Sequence, residues 1–293
     1  ADGASGIIVV WEDYRNENYP AIRAQRINPQ GTKAWEGSVL LAKVKSRQTQ
    51  PALVSDGSGG AMVAWVDERN PLSLQDIYVQ RISGKGELLW GNNGKILCDD
   101  NGNQIEVVLA SDGVNGAYLT WTDYRRGDRN PDIYAQRING QGGLLWQSGG
   151  VLVCGAPDIQ RSPVIVGMGE EGALISWSDK GGGSYDVYAQ HLSQEGKPAW
   201  IADGIPICQV PRTQQNPKFG NRKTLAWEDY RYGNWDIFTQ ALDASGKPIW
   251  TEGGVPVVSM PLTQYSPQIV PWKNGELMVV WEDYRSGKQY EIY

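Results

Sequence analysis

The sequence predicts an all-β protein built from a repeated unit of four antiparallel strands. Its composition favours short strands and tight turns over helices, because the 293 residues include 36 Gly, 13 Trp and 14 Tyr but only 2 Phe. The pattern Trp-x-Asp also recurs, at intervals of 54, 56, 56, 50 and 54 residues. Its six copies are Trp11/Asp13, Trp65/Asp67, Trp121/Asp123, Trp177/Asp179, Trp227/Asp229 and Trp281/Asp283.

Further landmarks keep register with these tryptophans. A glutamine precedes the tryptophan by 17 residues in copies two, three, four and six and by 13 in copy five. The segment Asp-Ile-Tyr-Ala-Gln, or a close variant, follows the tryptophan in copies two to five. We therefore predict one domain, residues 1–293, with incomplete first and last units. The units are approximately 1–47, 48–103, 104–159, 160–213, 214–263 and 264–293.

Each complete unit contains four predicted strands. The first, such as "QPALVS", ends at an Asp-Gly hairpin signal, and the second, such as "AMVAW", is apolar on consecutive residues and should be covered on both faces. The third is "DIYAQRI", and the fourth runs from "LLW" into "VLVC". Proline in the first strand, as at Pro51, places that strand at a sheet edge. These units predict a β-propeller whose first strands line the central channel.

The number of blades and the two chain ends are linked. Strands two and three occur six times and strands one and four five times, so we predict six blades, with five blades and an overhanging hairpin as the alternative. The chain opens at "ADG", in the middle of a predicted hairpin turn. Either arrangement leaves strand edges or apolar surface unpaired. We expect copies of the protein, other surface proteins or a further stretch of the chain to cover them by strand addition, and head-to-tail copies would form a filament.

The segments "WEDYR", "DIYAQRI" and "G…LLW" resemble the repeat of secreted bacterial multi-repeat β-propellers, which often belong to large cell-surface proteins. The resemblance covers essentially the whole chain. It implies an extracellular or cell-surface location and a binding or structural role, and it supplies no defined catalytic residues. The fuller pattern of that family includes a C-terminal secretion-sorting domain, which we do not find within residues 1–293.

Charge and hydropathy exclude several classes of partner. A net charge of −6 without charged blocks gives no basic patch of the kind that binds nucleic acid. No apolar run is long enough for membrane insertion. Cys98, Cys154 and Cys208 each lie eight residues after a tryptophan, and equivalent positions in successive units are normally too distant for a disulfide. We interpret them as small buried residues, with a metal or redox site as the alternative.

The repeated aspartates are interpreted as structural. Each carboxylate can accept backbone N–H groups at the turn leaving strand two, although cation or sugar ligation is the alternative. An arginine lies two residues beyond the aspartate in every copy except the fourth, which has Gly181. We expect these arginines to pair with the aspartate or to stack on aromatic rings.

The loops between strands two and three are the candidate ligand site. Their aromatic residues can stack on sugar rings and adjacent carboxylates can accept hydroxyls, whereas packing across the outer strands is the structural alternative. The candidates are Tyr19, Tyr185, Asp186, Trp235, Asp236 and Tyr290.

Enzymatic chemistry has little support in the sequence. His191 is the single histidine, and it stands at the register of Arg81 and Arg137, so we interpret it as a repeat substitution and expect neither a His-dependent triad nor a multi-His metal site. Glu106, Glu170 and Glu171 are unrepeated acids that nothing joins into a site. We predict no cofactor and no metal. The preferred function is a non-enzymatic structural or interaction module of a cell-surface filament or appendage. A carbohydrate-binding propeller is the first alternative and a glycan-active enzyme the second.

Overall fold

The computed structural model describes residues 6–15, 19–72 and 74–293, which form six antiparallel sheets. The first sheet consists of β1 (Ile7–Asp13), β2 (Ala21–Ile27) and β3 (Val39–Leu40). The second sheet consists of β4 (Gln48–Ser55), β5 (Ala61–Asp67), β6 (Asp76–Ile82) and β7 (Lys95–Cys98). The third consists of β8 (Gln104–Ser111), β9 (Ala117–Asp123), β10 (Asp132–Ile138) and β11 (Val151–Cys154). The "ADG" opening lies outside the described residues.

The remaining sheets repeat this plan. The fourth has β12 (Gln160–Gly167), β13 (Ala173–Asp179), β14 (Asp186–Leu192) and β15 (Ile205–Cys208), and the fifth has β16 (Gln214–Phe219), β17 (Thr224–Asp229), β18 (Asp236–Ala241) and β19 (Val255–Val258). The sixth has β20 (Gln264–Pro271), β21 (Leu277–Asp283) and β22 (Glu291–Ile292). Two 3-10 turns, Gly169–Glu171 and Lys273–Gly275, are the helical elements of the described ranges. The predicted all-β propeller of four-stranded antiparallel blades is confirmed, and we number each blade as its sheet.

The first strand of each complete sheet lies at a sheet edge, as predicted. Pro51 sits in a β-bulge between Thr49 and Ala52, where Gln50 adopts a φ of 52°. A bulge releases proline from the ladder hydrogen bond that it cannot donate. First strands of successive sheets contact each other from β4 through β8, β12 and β16 to β20, so they form the inner layer of the propeller.

The second strand of each complete sheet is the centre of the core. Every residue of β5 and β9 is buried, and the Trp-x-Asp tryptophans of sheets two to five are fully buried. Each packs against the preceding sheet; Trp65, for example, lies with Ile8 and Ile22 of the first sheet. A glycine before strand four lies against each of these rings, and a Cβ on Gly150 (φ 87°) would lie 2.5 Å from Trp121. Burial of these large aromatic surfaces between blades supplies much of the hydrophobic stabilisation.

Strand four is shorter than predicted. It includes "VLVC" at Val151–Cys154, whereas "LLW" stays outside the ladder apart from an isolated bridge between Leu144 and Ile138. The reason is a side chain that competes for the backbone: Gln136 accepts the N–H of Trp146 and donates to the carbonyl of Gln147, at 3.0 and 2.8 Å. The glutamine of "DIYAQ" therefore holds the chain where a strand would otherwise continue.

The second tryptophan of the first three units joins neighbouring blades through its indole N–H. The indole N–H of Trp35 donates to the carbonyl of Gly84 at 3.0 Å, and that of Trp146 donates to the carbonyl of Gln194 at 2.8 Å. Among the described strands, none of the first sheet pairs with a strand of the last, so the blade number of a closed ring stays a prediction. No helix in the described ranges has the length and apolar character needed to cross a bilayer.

Candidate functional site

One face of the propeller carries all the candidate site residues. Because the strands alternate in direction, the end of strand two, the start of strand three, the end of strand four and the start of strand one share this face. We call it the loop face. It contains the Trp-x-Asp aspartates, the loops between strands two and three and the bulges of strand one.

The repeated aspartate is the acceptor of a local hydrogen-bond network. In sheet five, Asp229 Oδ2 accepts the indole N–H of Trp227 at 2.9 Å, and Oδ1 accepts the backbone N–H of Arg231 at 2.9 Å. The Arg231 guanidinium lies 2.6 Å from Asp229 and stacks on the ring of Phe238, 3.8 Å from its centroid. We call this arrangement the Asp–Arg–ring stack.

The described residues form this stack in four sheets. The sets are Asp67–Arg69–Tyr78, Asp123–Arg125–Tyr134, Asp229–Arg231–Phe238 and Asp283–Arg285–Tyr293, with ring distances of 3.7 to 3.9 Å. In the first sheet Arg23 stands at the ring position, and Asp13 pairs with both Arg23 and Arg15.

Electrostatics favour the ionised form of Asp13 and Asp283, the first and last of the repeated aspartates. The hydrogen bond from Arg15 is the main cause that lowers the pKa of Asp13 to about 2. Burial raises the pKa of Asp283, but hydrogen bonds from Arg285 and Trp281 outweigh it and bring the pKa to about 2. The geometry and the charge state together give each of these carboxylates a structural role.

A second set of contacts links neighbouring blades at the inner layer. The backbone N–H of each strand-one bulge donates to a side chain of the preceding sheet: Gln50 to Glu12 at 2.9 Å and Ser162 to Glu106 at 2.8 Å. In the same way Ser266 donates to Glu228 at 3.0 Å. Glu106 also accepts the hydroxyl of Thr122 at 2.7 Å, so this unrepeated acid is engaged in holding blades three and four together.

Five aromatic rings form a continuous row on the loop face of blades five and six. The ring centroids are 5.0 Å apart for Tyr230–Trp235, 5.8 Å for Trp235–Tyr265, 6.3 Å for Tyr265–Tyr290 and 4.9 Å for Tyr290–Tyr284. Tyr290 is 50% exposed and the other four are half-buried. We call this set the aromatic row.

The structure brings two of the predicted ligand residues together and separates the others. Trp235 and Tyr290 belong to the aromatic row, with Tyr265 between them. Tyr19 lies on the first blade, in a cavity of about 270 Å³ lined by Arg23, Lys43 and Lys45 among others.

The other three predicted ligand residues, Tyr185, Asp186 and Asp236, do not belong to the aromatic row. Tyr185 is covered by the guanidinium of Arg161, 4.3 Å from the ring centroid. Asp236 is fully buried and accepts a hydrogen bond from Asn234 at 2.8 Å. A ligand hydroxyl therefore does not reach its carboxylate, contrary to the role proposed for it from the sequence. Asp186 is 8% exposed and lines a cavity of blade four, where burial raises its pKa to about 6.

Sequence reasoning missed three members of the aromatic row. Tyr230 and Tyr284 directly follow a Trp-x-Asp aspartate, and Tyr265 follows the glutamine that opens strand one. Blades one and three also carry a tyrosine after the aspartate, Tyr14 and Tyr124, whereas the position of Tyr265 is not aromatic in the other blades, with Thr49 in blade two and Ile105 in blade three. A comparison of each repeat position across the blades would have found the coincidence of aromatics in blades five and six.

The histidine and the cysteines have local structural contacts. His191 Nε2 lies 2.7 Å from the carbonyl of Glu171, and its ring packs edge-on against Trp200. The thiols are buried and unbridged, and burial raises the pKa of Cys98 and Cys208 to about 12. They are therefore protonated, poorly nucleophilic thiols.

Solved structures share the fold at low sequence identity. A protein of unknown function from Dyadobacter fermentans matches with a TM-score of 0.53 at 12% identity, covering 98% of this chain and 90% of that one. A puromycin-hydrolyzing peptidase from Mycobacterium tuberculosis matches with a TM-score of 0.53 at 11% identity, covering 94% of this chain and 42% of that one. TolB from Acinetobacter baumannii matches with a TM-score of 0.43 at 13% identity over 100% of this chain.

This chain spans 66% of the TolB chain and 42% of the peptidase, less than two thirds of either. No protein-family model matches the sequence, and no curated protein matches it. At these identities the structural likeness supports the β-propeller fold and nothing further.

Proposed function

We propose that this propeller is a non-enzymatic extracellular interaction module that binds a glycan chain along the aromatic row. The observation that carries the proposal is the unbroken contact of Tyr230, Trp235, Tyr265, Tyr290 and Tyr284 across two blades. Aromatic faces pack against the apolar C–H faces of sugar rings, while phenol and indole groups supply hydrogen bonds at their edges.

The surroundings of the row suit a hydroxyl-rich ligand. Gln215 and Asn216 lie on strand one of blade five and donate to Glu228 at 3.2 and 2.8 Å, which places amides and a carboxylate near Tyr265. Burial raises the pKa of Tyr265, so its hydroxyl remains a hydrogen-bond donor at neutral pH. A row of rings beside amide groups favours an extended chain over a single small molecule.

The engaged state of the acids supports the non-enzymatic part of the proposal. A glycosidase needs two carboxylates free to exchange protons or to attack at the sugar. Glu106 and Glu228 instead accept backbone N–H groups from the next blade, and Asp229 is held in an Asp–Arg–ring stack. These are positioning contacts that proton transfer would disrupt.

We further propose that copies of the module associate through the first and last blades. On β1, Ile7 and Val9 are 48% and 44% exposed, and in the last blade Val270 and Ile292 are 46% and 73% exposed. Apolar side chains on strands at the end of a stack of sheets favour pairing with a complementary blade face. A head-to-tail contact between the last blade of one copy and the first blade of the next would cover both surfaces.

Binding of the fluorescently labelled chain to an array of immobilised polysaccharides and oligosaccharides tests the glycan proposal. We expect retention on at least one glycan class, and a loss of at least tenfold in the Trp235→Ala variant. Gln75→Ala is the matched control, since Gln75 holds the same position in blade two. No new reducing ends should appear on the bound glycan. Absence of binding, equal binding by Trp235→Ala, or turnover would contradict the proposal.

A further inference from the structure

Blade four lacks the arginine of the Asp–Arg–ring stack but keeps the groups that surround it. Gly181 stands where Arg69, Arg125 and Arg231 lie in the other complete blades. The aspartate is retained as Asp179 and the ring as Tyr188, and these residues pack with Trp177 as their counterparts do. The substitution therefore removes one side chain from an otherwise complete arrangement.

The intact blades show what this arrangement holds. In blade three the guanidinium of Arg125 lies 2.6 Å from the carboxylate of Asp123 and 3.8 Å from the ring centroid of Tyr134, and it donates to the carbonyl of Gly149 at 2.8 Å. Arg231 makes the same three contacts in blade five, including a donation to the carbonyl of Gly253 at 2.6 Å. A carboxylate, an aromatic face and a carbonyl together match the charge, planarity and donors of a guanidinium.

In blade four these groups line a cavity of about 360 Å³. Its walls include Asp179, Tyr188 and Asp203. The backbone carbonyl of Asp203 occupies the same repeat position as the carbonyls of Gly149 and Gly253. Asp179 is buried, with 5% of its surface exposed. Its carboxylate accepts hydrogen bonds from the indole N–H of Trp177, the thiol of Cys154 and the backbone N–H of Gly181. Among the described residues, no ion pair involves this carboxylate, whereas the other Trp-x-Asp carboxylates each face an arginine.

We propose that the blade-four cavity binds a guanidinium group presented by a ligand, which takes the place that Arg125 and Arg231 occupy in the adjacent blades. The cation would lie between the carboxylate of Asp179 and the ring of Tyr188, with Asp186 adding a second carboxylate to the wall. A guanidinium is preferred to an ammonium because it is planar and weakly hydrated and can both stack and donate in two directions. In the described part of the chain, no three acidic, histidine or cysteine side chains are arranged to hold a metal ion.

The cavity opens to the surface beside a glycine-rich loop. Gly181 and Gly182 are exposed and line the cavity together with Tyr188, so no side chain of this loop blocks a ligand that continues outward. Both free arginine and an arginine side chain of a partner protein satisfy this chemistry. The two sources differ in the groups beyond the guanidinium.

Isothermal titration of the intact chain with methylguanidinium tests the proposal. We expect saturable binding at least tenfold tighter than that of methylammonium. Gly181→Arg should abolish it and raise the Tm, because the new side chain supplies the missing cation. The backbone of Gly181 lies outside the left-handed region, and a Cβ there would meet Asp179 Oδ1 at 3.1 Å with its next neighbour at 3.8 Å. Tyr188→Phe is the matched control and should retain binding, since Phe238 performs this role in blade five.

Two further arms complete the experiment. L-Arginine and the peptide Gly-Arg-Gly are titrated in parallel, and tighter binding of the peptide identifies a partner protein's side chain as the source, whereas tighter binding of arginine identifies the free amino acid. Equal affinity for methylguanidinium and methylammonium would overturn the proposal. So would binding that persists in Gly181→Arg, or stoichiometric Ca²⁺ binding that Asp179→Asn removes.

Discussion

At the scale of single residues, one aspartate position appears in two environments within the same chain. Asp229 and Asp179 both accept an indole N–H and a backbone N–H, but only Asp229 faces a buried guanidinium among the described residues. The repeat therefore provides an internal comparison of the same carboxylate with and without its cation.

This comparison predicts unequal costs for the same substitution. Asp229→Ala leaves the buried guanidinium of Arg231 without its partner and should lower the free energy of unfolding by about 3 to 5 kcal/mol. Asp179→Ala leaves only neutral donors unpaired and should cost about 1 to 3 kcal/mol. Urea denaturation of both variants measures the difference. Equal losses would show that the ion pair adds nothing to the hydrogen bonds.

The pH dependence of stability tests a second aspartate position. Burial raises the pKa of Asp132 to about 6, despite its ion pair with Arg126. The folded state therefore binds more protons than the unfolded state between about pH 4 and pH 6, and this carboxyl group makes stability fall as pH rises through that window. The aspartates with lowered pKa lose their contribution only below about pH 4. We expect Asp132→Asn to flatten the stability profile between pH 4.5 and 7. An unchanged slope in that variant would contradict the assignment.

The sequence predicted the residue types of the Asp–Arg–ring stack but not their partners. An arginine two residues after an aspartate suggested a pair, and both pairing and stacking occur in Arg125. The ring beneath the guanidinium comes from the neighbouring strand, nine residues away, and spacing alone could not choose between Trp121 and Tyr134.

At the scale of elements, the blades are held to one another by side chains that reach into a turn or bulge of the next blade. Strand order and the edge position of strand one followed from proline and apolar patterning. The bulge in strand one did not, because its cause is the neighbouring blade's acceptor, such as Glu12 for the N–H of Gln50. The length of strand four also escaped prediction, since Gln136 withdraws the backbone of Trp146 from the ladder.

Two glycines at the same turn position differ in how closely they pack against a tryptophan of the neighbouring blade. Gly196 has a φ of 77°, and a Cβ there would lie 2.8 Å from the ring of Trp146. Gly31 occupies the same turn position with a φ of 76° and has nothing within 4 Å. Gly31→Ala should cost about 1 kcal/mol for the left-handed backbone alone. Gly196→Ala should cost a further 1 to about 3 kcal/mol from overpacking. Thermal or urea unfolding compares them, and equal costs would place Trp146 outside the blade contact.

At the scale of the whole molecule, repetition builds the scaffold and departures from repetition mark the surfaces. Gly181 opens a cavity in blade four, and Tyr230, Trp235, Tyr265, Tyr284 and Tyr290 gather on blades five and six. The sequence predicted Trp235 and Tyr290 as ligand residues but could not bring them together. Their contact passes through Tyr265 on a strand that the sequence placed in the inner layer.

Self-association follows from the proposed contact between the first and last blades. Sedimentation of the 32.3 kDa chain should show species that grow with concentration. Ile292→Glu should reduce them, since this side chain is 73% exposed in the last blade. Val114→Glu, at an exposed hairpin of blade three, is the control and should leave association unchanged. A single monomeric species at every concentration would contradict the proposal.

Titration calorimetry with the tightest-bound oligosaccharide from the array tests whether the aromatic row binds glycan. We predict that Trp235→Ala and Tyr290→Ala each raise the Kd at least tenfold, while Gln75→Ala and the wild type bind equally. Loss of these rings removes stacking contacts, whereas the control leaves the row intact. An unchanged Kd in both row variants would contradict the claim.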